Sequence, residues 1–162
     1  MKELKDDGYK IIYLDECMMA WQSITMTDYT NLNYKHRIPL TQLNHTAYAL
    51  VFAISLEEGL EHYGIYKTPF RQDSFIDYLE NLCIANKHTK IAVMMDNASN
   101  HKTEAVNLKM AELGIPSIYN VPYQPDLNPT EACFSKLKNF YKRNRLNKLV
   151  NEEELDVKAL IE

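Results

Sequence analysis

The sequence contains few of the residues that break regular structure: of 162 residues only four are glycine and six are proline. This scarcity argues against a disordered or fibrous chain. No apolar run approaches the roughly 20 residues that a helix needs to cross a bilayer, and the opening segment MKELKDD is too polar for a signal peptide. The three cysteines form no CxxC pair, which favours free thiols in a reducing intracellular compartment.

Several common catalytic motifs are also missing. The sequence has no GxSxG elbow, no P-loop and no GxGxxG turn, and its histidines and cysteines lack the spacing of zinc ligands. The net charge of −4 gives no global sign of a nucleic-acid partner. Six of the 18 basic residues nevertheless lie between 136 and 148, directly before the acidic run 152–154. This basic stripe has two interpretations, a solvated helix face or a contact surface for phosphates.

Apolar periodicity divides the sequence into five predicted strands and three predicted helices. The strands are short and rich in β-branched and aromatic residues, and they are predicted at 9–16, 45–55, 60–66, 91–95 and 115–121. The first helix is predicted at 72–86, the second from a cap at Ser99 or Asn100 to Gly114, and the third from Asn128-Pro129-Thr130-Glu131 onward. The stretch 24–44 is polar and irregular.

The order of these elements predicts an α/β fold. An antiparallel meander followed by strand–helix alternation implies a mixed five-stranded sheet flanked by helices. This is the strand order of an RNase H-like fold, although periodicity alone does not distinguish it from other α/β layouts. We expect one domain over residues 1–150 and a weakly helical C-terminal tail over 151–162.

Three carboxylates occupy positions typical of a metal site. Asp15 and Asp96 lie at the C-terminal ends of predicted buried strands, and Glu131 lies in the first turn of a predicted helix. Such positions converge at one edge of an α/β sheet, where three carboxylates repel one another unless cations neutralise them. Oxygen ligands without a thiol or histidine cluster favour Mg²⁺ or Mn²⁺. Each acid also has an ordinary structural interpretation, because the two aspartates could cap a loop and Glu131 could complete a capping box.

The contexts of these acids resemble a known family, the catalytic domains of the Tc1/mariner and IS630-like transposases of the DDE superfamily. The segments 12–16 (IYLDE) and 93–101 (VMMDNASNH) are similar to the first two family blocks. The segment 121–131 (VPYQPDLNPTE), continuing to FSKLK at 134–138, is similar to the third and most specific block. The resemblance runs from about residue 9 to residue 145, and the 34 residues between Asp96 and Glu131 match the spacing of this group.

The resemblance implies a function and a set of site residues. It implies Asp15, Asp96 and Glu131 as catalytic ligands of two Mg²⁺ or Mn²⁺ ions, in an enzyme that cleaves and joins DNA strands during transposition. It also implies transposon ends and target DNA as partners, a homodimer on DNA, and a place inside the cell, in the nucleus or in the bacterial cytoplasm and nucleoid. The supporting residues that it implies around the carboxylates are Glu16, Asn97, His101 and Asn128.

The last predicted helix adds candidate DNA contacts. Glu131, Ser135, Lys138 and Lys142 recur at helical spacing on one face, whereas Phe134, Leu137 and Tyr141 form an apolar face. A stripe that begins at a catalytic acid and ends in positive charge suits the guidance of a phosphate backbone. The candidate DNA-binding residues are Lys138, Lys142, Arg143 and Arg145.

Two departures from the family pattern support an alternative. The first strand is predicted to begin near residue 9, so we expect no helix-turn-helix recognition module before it, and Cys17-Met18-Met19 replaces the small polar residues expected after the first block. A fragment, or a domesticated or decayed copy, would show both features. The alternative function is therefore a transposase-derived DNA-binding or assembly module that does not cleave DNA; a structure-specific nuclease of the same fold is disfavoured by the third block.

Overall fold

The computed structural model describes residues 1–19, 47–121, 128–151 and 158. The predicted irregular stretch 24–44, the first residues of the predicted second strand, the middle of the third family block and most of the C-terminal tail lie outside these residues. Within the described ranges, no helix is both long enough and apolar enough to cross a membrane.

Five strands form one mixed sheet, as predicted. The strands are β1 (Lys10–Met19), β2 (Tyr48–Ser55), β3 (Gly59–Lys67), β4 (Ile91–Met95) and β5 (Ser117–Tyr119). Their order across the sheet is β3-β2-β1-β4-β5. Strands β1, β2 and β3 pair antiparallel, whereas β1, β4 and β5 pair parallel. The helices are α1 (Lys2–Asp6), α2 (Gln72–Ala85), α3 (Glu104–Glu112) and α4 (Thr130–Val150), with a 3-10 helix at Ser99–Lys102.

The central strand β1 is longer than the sequence predicts. The predicted strand ends at Glu16, but β1 continues to Met19 because β2 pairs with it along its whole second half, from Asp15 opposite Phe52 to Met19 opposite Tyr48. The parallel partner β4 ends earlier, at Met95. Asp15 therefore lies in the middle of β1 and not at its C-terminal end, which corrects the prediction, yet it still lies beyond the last β1–β4 pair.

Alternate residues of β1 face two different helical layers. Ile12 and Leu14 pack with the α2 residues Phe75 and Leu79 in the larger core. The odd-numbered residues face the other layer: Ile11 and Tyr13 pack near α1, and Cys17 and Met19 pack against Phe134 and Tyr141 of α4. Because side chains alternate along a strand, Asp15 points to the α4 layer and Glu16 to the α2–α3 layer. The domain is thus a three-layer α/β/α arrangement.

Helix α3 begins later than predicted. Its N-cap is Thr103, whose side chain accepts a hydrogen bond from the Val106 backbone N–H, whereas the predicted caps Ser99 and Asn100 lie in the 3-10 helix. Serine and asparagine are good caps, so composition alone does not distinguish the three positions. The predicted end is confirmed: the chain leaves α3 through Gly114, whose φ of +67° favours glycine.

Helix α4 begins where the sequence predicts. The Asn128 side chain accepts a hydrogen bond from the Thr130 backbone N–H at 3.2 Å, and Pro129 precedes the first helical residue. Phe134 and Tyr141 are buried on the predicted apolar face. The short helix α1 is not predicted by the sequence pattern, because its five residues carry no apolar stripe.

Candidate functional site

The register of the sheet brings Asp15 level with Asp96. Strands β1 and β4 pair in parallel, and Tyr13 lies opposite Met94. Asp15 comes two residues after Tyr13, and Asp96 comes two residues after Met94. Parallel neighbours advance together, so both acids reach the same edge of the sheet. The predicted convergence of strand ends is therefore reproduced in the backbone, even though β1 continues past it.

Three hydrogen-bonding groups hold and tune the Asp15 carboxylate. Its Oδ1 accepts from the Glu16 backbone N–H at 2.7 Å, and its Oδ2 accepts from Asn128 Nδ2 at 2.8 Å and from the Thr130 hydroxyl at 3.1 Å. Burial raises the pKa of Asp15, and the charges of Asp96 and Glu131 raise it further; the bonds from Glu16 and Thr130 oppose this. The three acids therefore act on one another electrostatically.

Asp96 is half-exposed, and it contacts both its own loop and a buried histidine. Its Oδ1 accepts from the Ala98 backbone N–H at 2.9 Å. The same oxygen lies 2.9 Å from His101 Nδ1, although these two atoms are not aligned for a hydrogen bond. Asp96 is thus oriented from the loop that follows β4 and from the 3-10 helix.

His101 links Asp96 to Glu16 across the larger core. Its ring is 2% exposed and stacks on Phe75 with centroids 4.7 Å apart, while Nε2 lies 2.8 Å from Glu16 Oε1. Burial alone would lower the pKa of His101, but the bond and charge of Glu16, together with the charge of Asp96, outweigh burial and raise it. The two predicted supporting residues Glu16 and His101 are therefore in direct contact.

Glu131 lies in the first turn of α4 and is exposed. Its position follows from the contacts of Asn128 and Thr130 with Asp15, which attach the start of α4 to β1. A carboxylate in the first helical turn is also favoured by the helix dipole. The charge of Glu131 raises the pKa of Asp15. The role of Glu131 as a metal ligand remains a prediction.

The donor set fits a hard divalent cation, although the side chains are not assembled around one. Within residues 1–19, 47–121 and 128–151, no group of three or more histidine, cysteine, aspartate or glutamate side chains is arranged to hold a metal ion. Asp15 and Asp96 are instead satisfied by donors of the protein itself. Their oxygen chemistry suits Mg²⁺ or Mn²⁺, and their mutual repulsion is the kind that a cation relieves.

Asn97 belongs to a network beside the carboxylates. Its side chain donates to the Asn120 carbonyl and accepts from Lys102 Nζ at 2.6 Å. The Lys102 ammonium also lies 4.6 Å from the centre of the Tyr119 ring. These contacts join the loop after β4 to the end of β5, so Asn97 stabilises the loop that carries Asp96.

The candidate DNA contacts on α4 separate into exposed and buried residues. Lys138 and Arg143 are exposed and Lys142 is half-buried, so all three are accessible to a phosphate backbone. Lys138 also lies beside the buried thiol of Cys17. Burial raises the pKa of this thiol, and the charge of Lys138 offsets only part of that increase. Arg145 is only 7% exposed, which corrects its prediction as a surface contact. It follows Tyr141 by four residues and so lies on the buried face of the helix.

Two neighbours of the site are not predicted from the sequence. Thr130 is predicted only as part of a helix start, yet it is fully buried and bonds to Asp15. Phe75 is predicted as an apolar residue of α2, without any link to His101. The position of Thr130 between the motif residues Asn128 and Glu131 is a usable signal, whereas nothing local indicates the stacking of Phe75.

The fold places this chain among RNase H-like domains, and solved structures of the mariner transposase Mos1 are similar to it. The Mos1 strand transfer complex aligns with a TM-score of 0.63 and 18% identity, covering 99% of this chain and 52% of that chain. The Mos1 catalytic domain with raltegravir and Mg aligns with a TM-score of 0.60 and 16% identity, covering 98% and 71%. An intasome of simian T-cell lymphotropic virus gives 0.63 and 15%, covering 94% and 46%. At these identities the likeness shows the fold, and the chain spans about half the length of several of these proteins.

The sequence itself belongs to the DDE superfamily of endonucleases, whose family pattern matches residues 10–155. No curated protein matches the sequence. The predicted mixed-sheet RNase H-like fold and the predicted membership of the DDE superfamily are both confirmed. The family match continues past the predicted domain boundary at residue 150, and that boundary stays a prediction.

Proposed function

We propose that this chain is the catalytic domain of a DNA transposase, which cleaves DNA and transfers the cut strand to a target. The observation that carries the proposal is the meeting of Asp15 and Asp96 at one sheet edge, with α4 attached to Asp15 so that the charge of Glu131 acts there. Membership of the DDE superfamily supports the same chemistry.

In this proposal Asp15, Asp96 and Glu131 hold two divalent ions, Mg²⁺ or Mn²⁺. When bound, such ions activate a water molecule and stabilise the leaving oxygen in phosphodiester cleavage. The Mos1 catalytic domain has been solved with Mg and with Mn, which supports the choice of metal. The protein's own contribution is to orient the acids: Asn128 holds Asp15, and His101 bridges Glu16 and Asp96.

DNA is the proposed partner, engaged as transposon ends and as target. A Mos1 paired-end complex contains a left transposon end, which supports this substrate class. The stripe of α4 that begins at Glu131 carries Lys138 and Lys142, and the exposed Arg143 lies beside it; these three cations would guide the DNA backbone toward the acids. We further propose a homodimer on DNA, working in the nucleus or the nucleoid according to the host.

Titration of Mn²⁺ into the purified chain tests the proposal, with nicking of supercoiled DNA assayed on the same preparation. We expect saturable Mn²⁺ binding that is abolished in Asp15→Ala, together with metal-dependent nicking. Binding without nicking would support the alternative, a transposase-derived module that assembles on DNA without cutting it. Absence of both in a folded preparation would refute the metal site.

The basic residues of α4 make a separate prediction about DNA affinity. Replacing Lys142 and Arg143 with glutamine should weaken DNA binding at low salt and reduce the slope of log K against log salt by about 0.9 for each phosphate that the protein no longer neutralises. Lys87→Gln, which removes an exposed lysine beyond the end of α2, is the matched control and should change neither quantity. Equal weakening in both variants would show that α4 has no particular role. Binding isotherms at several salt concentrations provide the measurement.

A further inference from the structure

Asn128 and Thr130 form a polar connection between α4 and the carboxylate of Asp15, here called the Asp15 clasp. Asn128 Nδ2 and Thr130 Oγ1 both approach Asp15 Oδ2, at 2.8 and 3.1 Å. The two clasp residues also contact each other, since the Thr130 hydroxyl lies 2.6 Å from Asn128 Oδ1. In the sequence, Asp15 is separated from Asn128 by 113 positions and from Thr130 by 115 positions.

The burial of Thr130 makes its hydroxyl part of the site and not of the surface. Its side chain is fully buried, so its polar group must find partners within the protein. A hydroxyl carries one proton and can donate to one acceptor at a time, either Asp15 Oδ2 or Asn128 Oδ1. Since the Asn128 amide donates to Oδ2 independently, Oδ2 always receives at least one hydrogen bond.

The contacts of the two carboxylate oxygens of Asp15 show which oxygen has a lone pair free to bind a further group. Oδ2 has two neighbours of the clasp, whereas Oδ1 accepts only the backbone N–H of Glu16 among the described residues. A carboxylate oxygen offers two lone-pair directions. The Thr130 oxygen lies 3.1 Å from Oδ2 whichever acceptor its proton faces, so it covers the second direction of Oδ2 in either case. Oδ1 is therefore the oxygen that keeps one open direction.

We propose that Thr130, with Asn128, is a positioning residue that fixes the rotation of the Asp15 carboxylate and presents Oδ1 to an incoming divalent cation. The proposal deepens the proposed function, on which it rests. The clasp has a second effect, because Thr130 is the first residue of α4 and Glu131 is the next. The bond that orients Asp15 also fixes the distance of the Glu131 backbone from β1.

Thr130→Val tests the clasp because it removes the hydroxyl and keeps the branched shape. Hydrogen-bonding partners of metal ligands typically contribute 10- to 100-fold to metal affinity, so Mn²⁺ affinity should fall by at least roughly tenfold. Free Mn²⁺, counted by electron paramagnetic resonance, gives this affinity without any assay of DNA cleavage. Thr130→Ser keeps the hydroxyl and should restore affinity to within about threefold of the parent.

Ser55→Ala is the matched control for reduced stability. Ser55 is 3% exposed, and its hydroxyl oxygen accepts a hydrogen bond from the Glu58 backbone N–H at the far end of the sheet. This variant should lower the melting temperature and leave Mn²⁺ affinity unchanged. Asn128→Ala removes the second donor at a less buried position, and it replaces Thr130→Val in the comparison if that variant does not fold.

The outcomes separate the clasp from the proposed function. Three results would each overturn the proposed role of the clasp. They are parent-like Mn²⁺ affinity in folded Thr130→Val, failure of Thr130→Ser to restore the affinity, and an equal reduction of affinity in Ser55→Ala. A parent protein that folds but binds no Mn²⁺ would instead refute the metal site itself. The proposal is supported if Mn²⁺ affinity falls in Thr130→Val, recovers in Thr130→Ser and does not change in Ser55→Ala.

Discussion

Replacing Asp96 with asparagine is expected to abolish Mg²⁺-dependent DNA nicking while leaving the fold intact. Loss of a hydrogen-bonding partner of a metal ligand costs 10- to 100-fold, so loss of a ligand's own charge should reduce the nicking rate by more than roughly 100-fold. The amide oxygen of asparagine can still accept from the Ala98 backbone N–H, which keeps the loop after β4 in place. Initial rates of conversion of supercoiled to open-circular plasmid provide the measurement.

The stability of this variant distinguishes an effect on chemistry from an effect on structure. The Asp96 side chain is 51% exposed, and its charge raises the pKa of both Asp15 and His101. Removing the charge therefore relieves a repulsion with Asp15 and loses an attraction to protonated His101. These two effects oppose each other, so the melting temperature of the metal-free protein should change little. Asp77→Asn is the matched control, an exposed aspartate on α2 whose replacement should change neither rate nor stability. Nicking by Asp96→Asn at the parent rate would remove Asp96 from the proposed site.

Replacing Phe75 with alanine is expected to cause a large decrease in the free energy of unfolding. Phe75 is fully buried, packs in the core between α2 and the sheet, and stacks on His101. Truncation of a buried phenylalanine to alanine typically lowers the free energy of unfolding by about 3–5 kcal/mol, because the ring no longer packs against its neighbours and a cavity remains. Urea denaturation monitored by circular dichroism measures this decrease.

A second residue of the same helix serves as the control for Phe75. Ile84 is 67% exposed, so Ile84→Ala should change the free energy of unfolding by less than about 0.5 kcal/mol. Phe75→Leu retains much of the apolar packing and should be more stable than Phe75→Ala. A decrease below about 1 kcal/mol in Phe75→Ala would contradict the assignment of this side chain to the centre of the core.

Much of the fold can be predicted because the relevant signals are local. The buried strand β4 is predicted with its observed bounds, and α2 with an end one residue too late, because an apolar run and a 3.6-residue apolar period are visible within a short window. The predicted start of α3 is wrong because Ser99, Asn100 and Thr103 are all good capping residues. His101, which lies between these candidate caps, is buried and stacks on Phe75, a tertiary contact that no local pattern reveals.

Helix α4 shows an error that the sequence pattern itself could have prevented. Arg145 is predicted with its basic neighbours because charge suggests a surface position. It follows the buried Tyr141 by one helical turn, and it is itself buried. Helical phase is the better guide at this residue, and charge is sufficient only for Lys138 and Arg143.

The amino-acid sequence by itself determined the order of the five strands and of helices α2 to α4 along the chain, and the family; it also predicted the three acids of the proposed metal site. Only the tertiary structure decided how these acids are oriented: Asp15 lies within a strand that β2 extends, α4 reaches it through Thr130, and His101 joins Glu16 to Asp96. The physical reason is range. Periodicity and capping depend on neighbours within a few residues. The contact of His101 with Glu16 and the bonds of Asp15 to Asn128 and Thr130 join residues 85 to 115 apart, and they exist only after sheet and helices have packed.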